Sequence, residues 1–345
     1  MRGAGATYGG GMGRWSNLAL AWLVPLAVLT GFVTFAVGDA GALPAAVLHG
    51  ATALAVLALV PWKSAVVRRG LRRARPGRST SLVLTALTLL ALATGVLHVL
   101  GVLGDGLPVT VMQAHVGAGL VAVAFVVAHA HDRRVRARRE DALSRRGALR
   151  VGGVLLAGAA GSAALLTGGA GVAAAGTRRS TGSFRLDPDT PQALPATTWL
   201  LDTVPAVDEA TWRLTVVAGG RERAWSVADL APYDDAVTAV LDCTSGWWSR
   251  QTWQGVRLAR LLPPGTSTSS GTVLVTSVTG YSRRLPLTDD LLLARRVGGR
   301  DLAPGTGWPA RLVVPGRRGH HWVKWVQRVE VVDGPWWAQT PLPWR

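Results

Sequence analysis

The chain has one cysteine in 345 residues, Cys243, which excludes an intramolecular disulfide. A lone thiol is either a small buried apolar residue or a group kept for its chemistry, as a nucleophile or as a soft ligand to a metal. Its surroundings favour chemistry. An alternating segment, Ala236-Val237-Thr238-Ala239-Val240-Leu241, reads as a strand leading into it. Gly246, Trp247, Trp248 and Ser249 follow, so the thiol stands where a strand breaks into a loop. A second chemical group lies downstream. Arg311, Arg317, Arg318, His320, His321 and Lys324 gather around Pro315-Gly316 and Gly319. Such a cluster, with backbone N–H groups laid open by glycine, suits a phosphate or another oxyanion. Lys324 is one of only two lysines, in a chain that otherwise uses arginine. The bland alternative is a solvated basic loop.

The third group is histidine inside apolar runs: His49, His98, His115, His129 and His131. At about 1.5 Å per residue, His49 and His115 lie roughly 9 Å from the ends of their runs and His98 roughly 7.5 Å. Three helices therefore carry an imidazole at one depth on one side. Two opposed imidazoles at one depth meet the need of a bis-histidine haem. The expectation is one haem b held by His49 and His115, with His98 as the rival ligand. His115 and His129 share a helix face, a spacing that resembles di-haem cytochrome b helices. No histidine on the first three runs pairs with His129, and His129 and His131 abut Asp132 and Arg133 as interfacial residues would.

The elements that must position these groups follow from composition, which divides near residue 176. Residues 1–175 hold 17 Lys+Arg against 5 Asp+Glu, and 15 of those cations lie in Lys63–Arg78 and Arg133–Arg150. Five apolar runs surround these two segments, at about 15–37, 43–62, 79–103, 109–131 and 149–175, each near the length that crosses a bilayer. The net charge of +17 is therefore a positive-inside pattern and argues against a nucleic-acid partner. Both basic segments are expected in the cytoplasm. Residues 1–14 form a cytoplasmic tail, 15–131 a four-helix transmembrane module and 132–148 a basic cytoplasmic loop. A fifth span, 149–175, leads outward through a linker, 176–198, to a domain over 199–345. The motif Ser144-Arg145-Arg146-Gly147-Ala148-Leu149 before the fifth span resembles a twin-arginine export signal, here acting as an anchor. No carboxylate sits deep in a span, so an ion-coupled transporter is disfavoured.

The outer domain holds 12 of the 15 tryptophans and shows recurrent short strands: 212–217, 225–230 turning helical, 236–241, 272–278, 312–315 and 325–332. Residues 291–296 read as a short helix. The expected architecture is a transmembrane all-α bundle of about five spans followed by a mixed α+β, mostly β, domain.

The order of segments in this domain resembles the molybdopterin-binding domain of the sulfite oxidase superfamily, including bacterial methionine sulfoxide reductase catalytic subunits. The matching pieces are TWRLTVVAG (211–219), VLDCTSGWWSRQTWQGVRLARLL (240–262), TGYSRRLPL (279–287), WPARLVVPGRRGHHWVKWVQRVEVVD (308–333) and PWWAQTPLP (335–343). The resemblance implies that Cys243 ligates molybdenum and that Tyr281 is an active-site hydrogen-bond donor. It places Gly246, Trp247, Arg311, Arg317, Arg318, Gly319, His320, His321 and Lys324 around the cofactor. It implies oxygen-atom transfer with a sulfoxide, an N-oxide or a small oxyanion such as sulfite. The membrane half, similar to small b-type cytochrome modules, would exchange electrons with a quinone or another membrane donor or acceptor. Sulfite oxidases carry an arginine in a segment resembling F-x-R-N, where this chain reads Thr198-Trp199-Leu200-Leu201-Asp202, which argues against sulfite as the substrate; a b-type membrane module fused to this domain resembles a merged two-subunit reductase, which leans the reading towards reduction. The implied location is a bacterial cell membrane, with the catalytic domain outside. A metal-free binding or sensory module on a membrane anchor is the alternative, against which Cys243 itself argues.

Overall fold

The computed structural model describes residues 8–37, 41–71, 78–102, 109–132, 145–172, 178–186, 191, 194–199, 202–266 and 271–340. It divides into two compact units, Met1–Gly182 and Ser183–Arg345.

The first unit consists of α1 (Tyr8–Ala36), α2 (Ala42–Leu71), α3 (Arg78–Val99), α4 (Val111–Asp132) and α5 (Arg145–Val172). All five contain a stretch of 19 to 22 residues long and apolar enough to cross a membrane. Their outer faces carry exposed Trp22, Leu29, Val127, Leu149 and Leu156, which a water-soluble bundle would not present. The basic segment after the second run is not all loop, since α2 continues to Leu71. The loop 133–144 and Ser144 of the arginine motif lie outside the described residues, and Arg145 opens α5. Helices pack as α1 with α2, α3 with α4 and α2 with α5.

Small residues set the α2–α5 contact. A Cβ at Gly158 would run into the Ala51 carbonyl oxygen, and one at Gly50 would meet the Ser162 hydroxyl at 2.5 Å. Close backbone approach at glycine is how apolar helices gain packing in the absence of a hydrophobic drive. The fifth helix is thus seated in the bundle. The two helix pairs also repeat a local device. Gly31 on α1 lies against the His49 ring of α2, where Thr30 and His49 share the Ala27 carbonyl, and Gly95 on α3 lies against the His115 ring of α4, where Thr94 and His115 share the Ala91 carbonyl.

The second unit is a two-sheet structure. One sheet runs β1 (Phe184–Arg185), β5 (Trp247–Arg257), β8 (Leu292–Val297), β10 (Arg311–Val313), with β4 (Asp235–Asp242) paired to β5 and β9 (Arg300–Asp301) to β8. The other runs β3 (Arg221–Trp225), β2 (Leu214–Ala218), β11 (Val326–Val332), β6 (Thr272–Ser277), β7 (Ser282–Pro286). The pairs β1–β5 and β2–β11 are parallel and the rest antiparallel. Alternate residues of these strands, such as Leu214, Val216, Val273 and Val275, fill one core with Trp253 and Trp322. A short helix, Val227–Leu230, is closed by a capping box between Ser226 and Asp229.

Two readings are corrected here. Residues 291–296, expected as a helix, enter strand β8. The run Leu292-Leu293-Ala294 is wholly buried, because β8 lies between β5 and β10 and is covered on both faces, which makes this stretch uniformly apolar rather than alternating. The stretch 176–198 is not linker alone, since Phe184 and Arg185 pair with Trp247 and Trp248.

Candidate functional site

Cys243 sits in the turn of the β4–β5 hairpin. Its N–H donates to the Trp247 carbonyl at 2.8 Å, and the Gly246 N–H returns to the Cys243 carbonyl at 3.2 Å. Gly246 has φ 99°, open to glycine at little strain, which lets the chain reverse behind the thiol. The thiol is buried, with Sγ 3.1 Å from the Ser245 hydroxyl, which lies 3.1 Å from the Thr197 hydroxyl. Gly319 packs against the same turn. A Cβ there would meet the Asp242 oxygen and the Cys243 Cα, each at 3.1 Å. The adjacent Asp242 is buried, accepting from Arg318 at 2.6 Å and from the Ser183 hydroxyl at 2.7 Å. Removing one partner of such a pair strands the other charge and costs about 3–5 kcal/mol.

Two cations attend the thiol. The Arg311 guanidinium is buried between Trp253 and Trp322, 5.4 and 5.8 Å from their ring centres. It donates to the Thr306 carbonyl at 3.0 Å, and its Nε has no partner among the described residues. Burial pushes it down to about 10, and a charged Cys243 pulls the other way. Lys324 Nζ donates to the carbonyls of Thr197 at 2.9 Å and Gly305 at 2.6 Å. Burial, and then Arg311, lowers it to about 7, against the pull of Cys243 and Asp202. Among the described residues no carboxylate forms an ion pair with either cation. A buried guanidinium and a partly buried ammonium beside one thiol ask for an anionic guest. The strand entry is strained beside it, since Trp325 holds φ 51° while its indole donates to the Pro304 carbonyl at 2.7 Å.

This geometry gives a pH prediction. Native Lys324 releases its proton near pH 7, whereas in the unfolded chain it does so near 10.5. Between those values the unfolded state binds more protons, so stability of the cofactor-free chain rises with pH across the window. Lys324→Met should flatten the rise in thermal midpoint from pH 7 to 10. A slope identical in wild type and variant would contradict the assignment.

The other expected residues divide. His320 and His321 are buried with ring centres 4.0 Å apart. Burial first, and then Arg283 and Arg317, takes His321 down to about 3; burial and His321 hold His320 well below its usual range. Both are neutral near pH 7, so the charge of this cluster resides on arginine and lysine. Arg318 is committed to Asp242, and Arg317 stacks on Trp336 at 4.3 Å. The Tyr281 hydroxyl donates to the His320 carbonyl at 2.5 Å, with burial raising its pKa. Tyr281 thus braces the histidine turn. Trp247 is a buried wall. Sequence reading missed Asp242, Ser245, Thr197 and Arg283. Of these only Asp242 carried a signal, an acidic residue ending an otherwise apolar strand beside the cysteine.

In the helical unit, His49 and His115 come together with ring centres 5.9 Å apart and planes at 89°. Each Nδ1 lies 2.8 Å from a carbonyl of the partner helix, Ala27 for His49 and Ala91 for His115. Donation from Nδ1 leaves the lone pair on Nε2, the tautomer that metal-bound histidines need. Two imidazoles on opposite sides of one metal, each about 2 Å from it, have ring centres roughly 6 Å apart. His98 stands apart from this pair. Its Nε2 is 3.3 Å from the Gly182 carbonyl, and Arg178 donates to the Val99 carbonyl at the end of α3.

Residues 201–339 match the family described as the oxidoreductase molybdopterin binding domain. This stretch is a molybdopterin-binding oxidoreductase domain. Its residues fit the group: a soft sulfur at Cys243 that could ligate the metal, and at Arg311 and Lys324 a buried and a partly buried cation, without carboxylate partners among the described residues, for an anionic pterin. The chain is similar over 58 residues to nitrate reductase [NADPH] of Mycosarcoma maydis, at 47% identity, covering 16% of this chain and 6% of that protein. It is also similar to nitrate reductase [NADPH] of Phytophthora infestans, 46% identical over 44 residues, or 13% and 5%. The chain thus spans a small fraction of the length of these curated relatives. Among solved structures, sulfane dehydrogenase SoxCD from Paracoccus pantotrophus shares 25% identity over 38% of this chain and 40% of that one, with a TM-score of 0.35.

Proposed function

We propose that the chain is a membrane-anchored molybdenum oxidoreductase that transfers an oxygen atom to or from a sulfoxide, an N-oxide or sulfite, and exchanges electrons with the quinone pool through one haem b. The observation that carries this reading is the buried Cys243 beside Arg311 and Lys324, inside the molybdopterin-binding domain. When bound, the molybdenum–pterin group supplies two-electron oxygen-atom chemistry. Cys243 offers one thiolate donor, and the Ser245 hydroxyl at 3.1 Å tempers its negative charge. Arg311 and Lys324 bind the anionic parts of the pterin and stabilise oxyanion charge in a site walled by Trp253 and Trp322. His49 and His115 are the proposed haem ligands, their tautomers fixed by the Ala27 and Ala91 carbonyls. The five apolar helices support a multi-pass anchor, and the charge asymmetry of residues 1–175 supports an outward-facing catalytic domain.

The direction is tested on detergent-purified full chain. Quinol-driven loss of a sulfoxide or N-oxide is the expected activity. Sulfite-dependent quinone reduction alone would reverse the direction, and neither reaction would remove oxygen-atom transfer to these substrates.

A further inference from the structure

A carbonyl inside a helix is usually screened from the side chains of another helix. It accepts the N–H four residues on, and the side chain of that residue leans back over it. The Ala27 and Ala91 carbonyls escape this screen because the residue four positions on is glycine in both cases, Gly31 and Gly95. A Cβ at Gly31 would stand 2.9 Å from His49 Cε1 and 3.1 Å from its Nδ1, and one at Gly95 would stand 3.2 Å from the same two atoms of His115. Each ring therefore occupies the space that a side chain would fill, with Nδ1 2.8 Å from the carbonyl oxygen.

The residue before each glycine is a buried threonine. The Thr30 hydroxyl donates to the Leu26 carbonyl at 2.7 Å and to the Ala27 carbonyl at 3.1 Å. The Thr94 hydroxyl donates to the Leu90 carbonyl at 2.6 Å and to the Ala91 carbonyl at 3.1 Å. In each helix the second of these carbonyls is the one that holds the ring. The helical N–H of the glycine also points at that oxygen, so three donors converge on an acceptor with two lone pairs. Electron density drawn towards the hydroxyl is not available to the imidazole N–H, so the hydroxyl loosens the bond from the ring. A ring that donates less strongly at Nδ1 is less electron-rich at Nε2. The pattern Ala-x-x-Thr-Gly thus occurs at 27–31 and again at 91–95, each time against a histidine of the neighbouring helix.

We propose that Thr30 and Thr94 are positioning residues that raise the reduction potential of the metal held between His49 and His115. A less electron-rich axial imidazole favours the reduced metal, and hydrogen bonding behind the ligand is one of the protein's means of setting that balance. The proposal rests on the reading of His49 and His115 as haem ligands. The competing role for the two hydroxyls is structural, since threonines that bond back to their own helix bend it.

The test is a redox titration of the b-type α-band on detergent-purified full chain. Thr30→Val and Thr94→Val keep the side-chain shape and remove the hydroxyl. Each should lower the ratio of reduced to oxidised haem at a fixed ambient potential about threefold, or about 30 mV at about 59 mV per tenfold for a one-electron couple, with the α-band retained. The double variant should lower it about tenfold. Thr30→Ser and Thr94→Ser, which keep the hydroxyl, should match wild type. Thr88→Val on α3 is the control for bending. Its hydroxyl bonds back to the Leu84 carbonyl at 2.8 Å, an oxygen that takes no ring nitrogen among the described residues, and its loss should leave the ratio unchanged. A wild-type or raised ratio in both Thr30→Val and Thr94→Val would overturn the proposal, and a shift in one alone would overturn it for the other threonine. An equal shift in Thr88→Val would overturn it in favour of helix bending. If the valine variants do not load, Thr30→Ala and Thr94→Ala read the same shift, and loss of the α-band in these as well would make the hydroxyls necessary for the fold and overturn the tuning. Absence of an α-band from the wild type is a different failure, which removes the haem reading and the proposal with it.

Discussion

Cys243→Ser is expected to lower turnover at least about 1,000-fold, equivalent to about 4 kcal/mol of transition-state stabilisation, with the protein still folded. The two side chains are near in size, and the turn is held by backbone bonds between Cys243, Gly246 and Trp247 that do not involve sulfur. What changes is the donor, from a soft, readily ionised sulfur to a hard hydroxyl that stays protonated. Arg311 and Lys324, the proposed pterin contacts, remain, so molybdenum should be largely retained while catalysis fails. The visible spectrum of the helical unit should be unaffected. Assay of molybdenum, turnover and spectrum on one preparation checks all three, and undiminished turnover would remove Cys243 as the ligand.

His49→Ala and His115→Ala should each abolish the b-type chromophore and quinol-driven turnover, while a soluble low-potential dye still drives the molybdenum site. Each imidazole is fixed by a carbonyl of its partner helix, so loss of either would remove one of the two proposed haem ligands. His98→Ala should keep the chromophore, because His98 is held at Gly182. Retention of the α-band in both His49→Ala and His115→Ala would reject the pair. The glycine beneath each ring gives a finer probe. A Cβ at Gly31 would meet the His49 ring at 2.9 Å and one at Gly95 the His115 ring at 3.2 Å, so Gly31→Val should perturb the spectrum more than Gly95→Ala.

Much of this was legible because membranes and metals impose strong rules. Five apolar runs flanked by arginine could hardly be other than five long helices, and the depth of His49 and His115 brought out the pair that the bundle juxtaposes. The alternation around Val237 and Leu241 placed Cys243 at the end of a strand. What escaped was non-local. Residues 291–296 look helical because a strand covered on both faces loses its alternation. Nothing in Phe184 or Arg185 announces that they will pair with Trp247 and Trp248, more than sixty residues away. The cluster around Gly319 was read as uniformly cationic, but burial neutralises its histidines and Asp242 claims Arg318. Arg283 was hidden by an exposed-looking Arg-Arg pair of which only one member faces inward.

The central claim is that one chain joins a molybdenum site at Cys243 to a haem between His49 and His115. Metal analysis and a reduced-minus-oxidised visible spectrum on the same membrane-derived, detergent-purified protein test it most directly. The account predicts about one molybdenum per chain together with a b-type α-band. Molybdenum without that band would contradict the haem and reduce the helices to an anchor, and the absence of both would contradict the account as a whole.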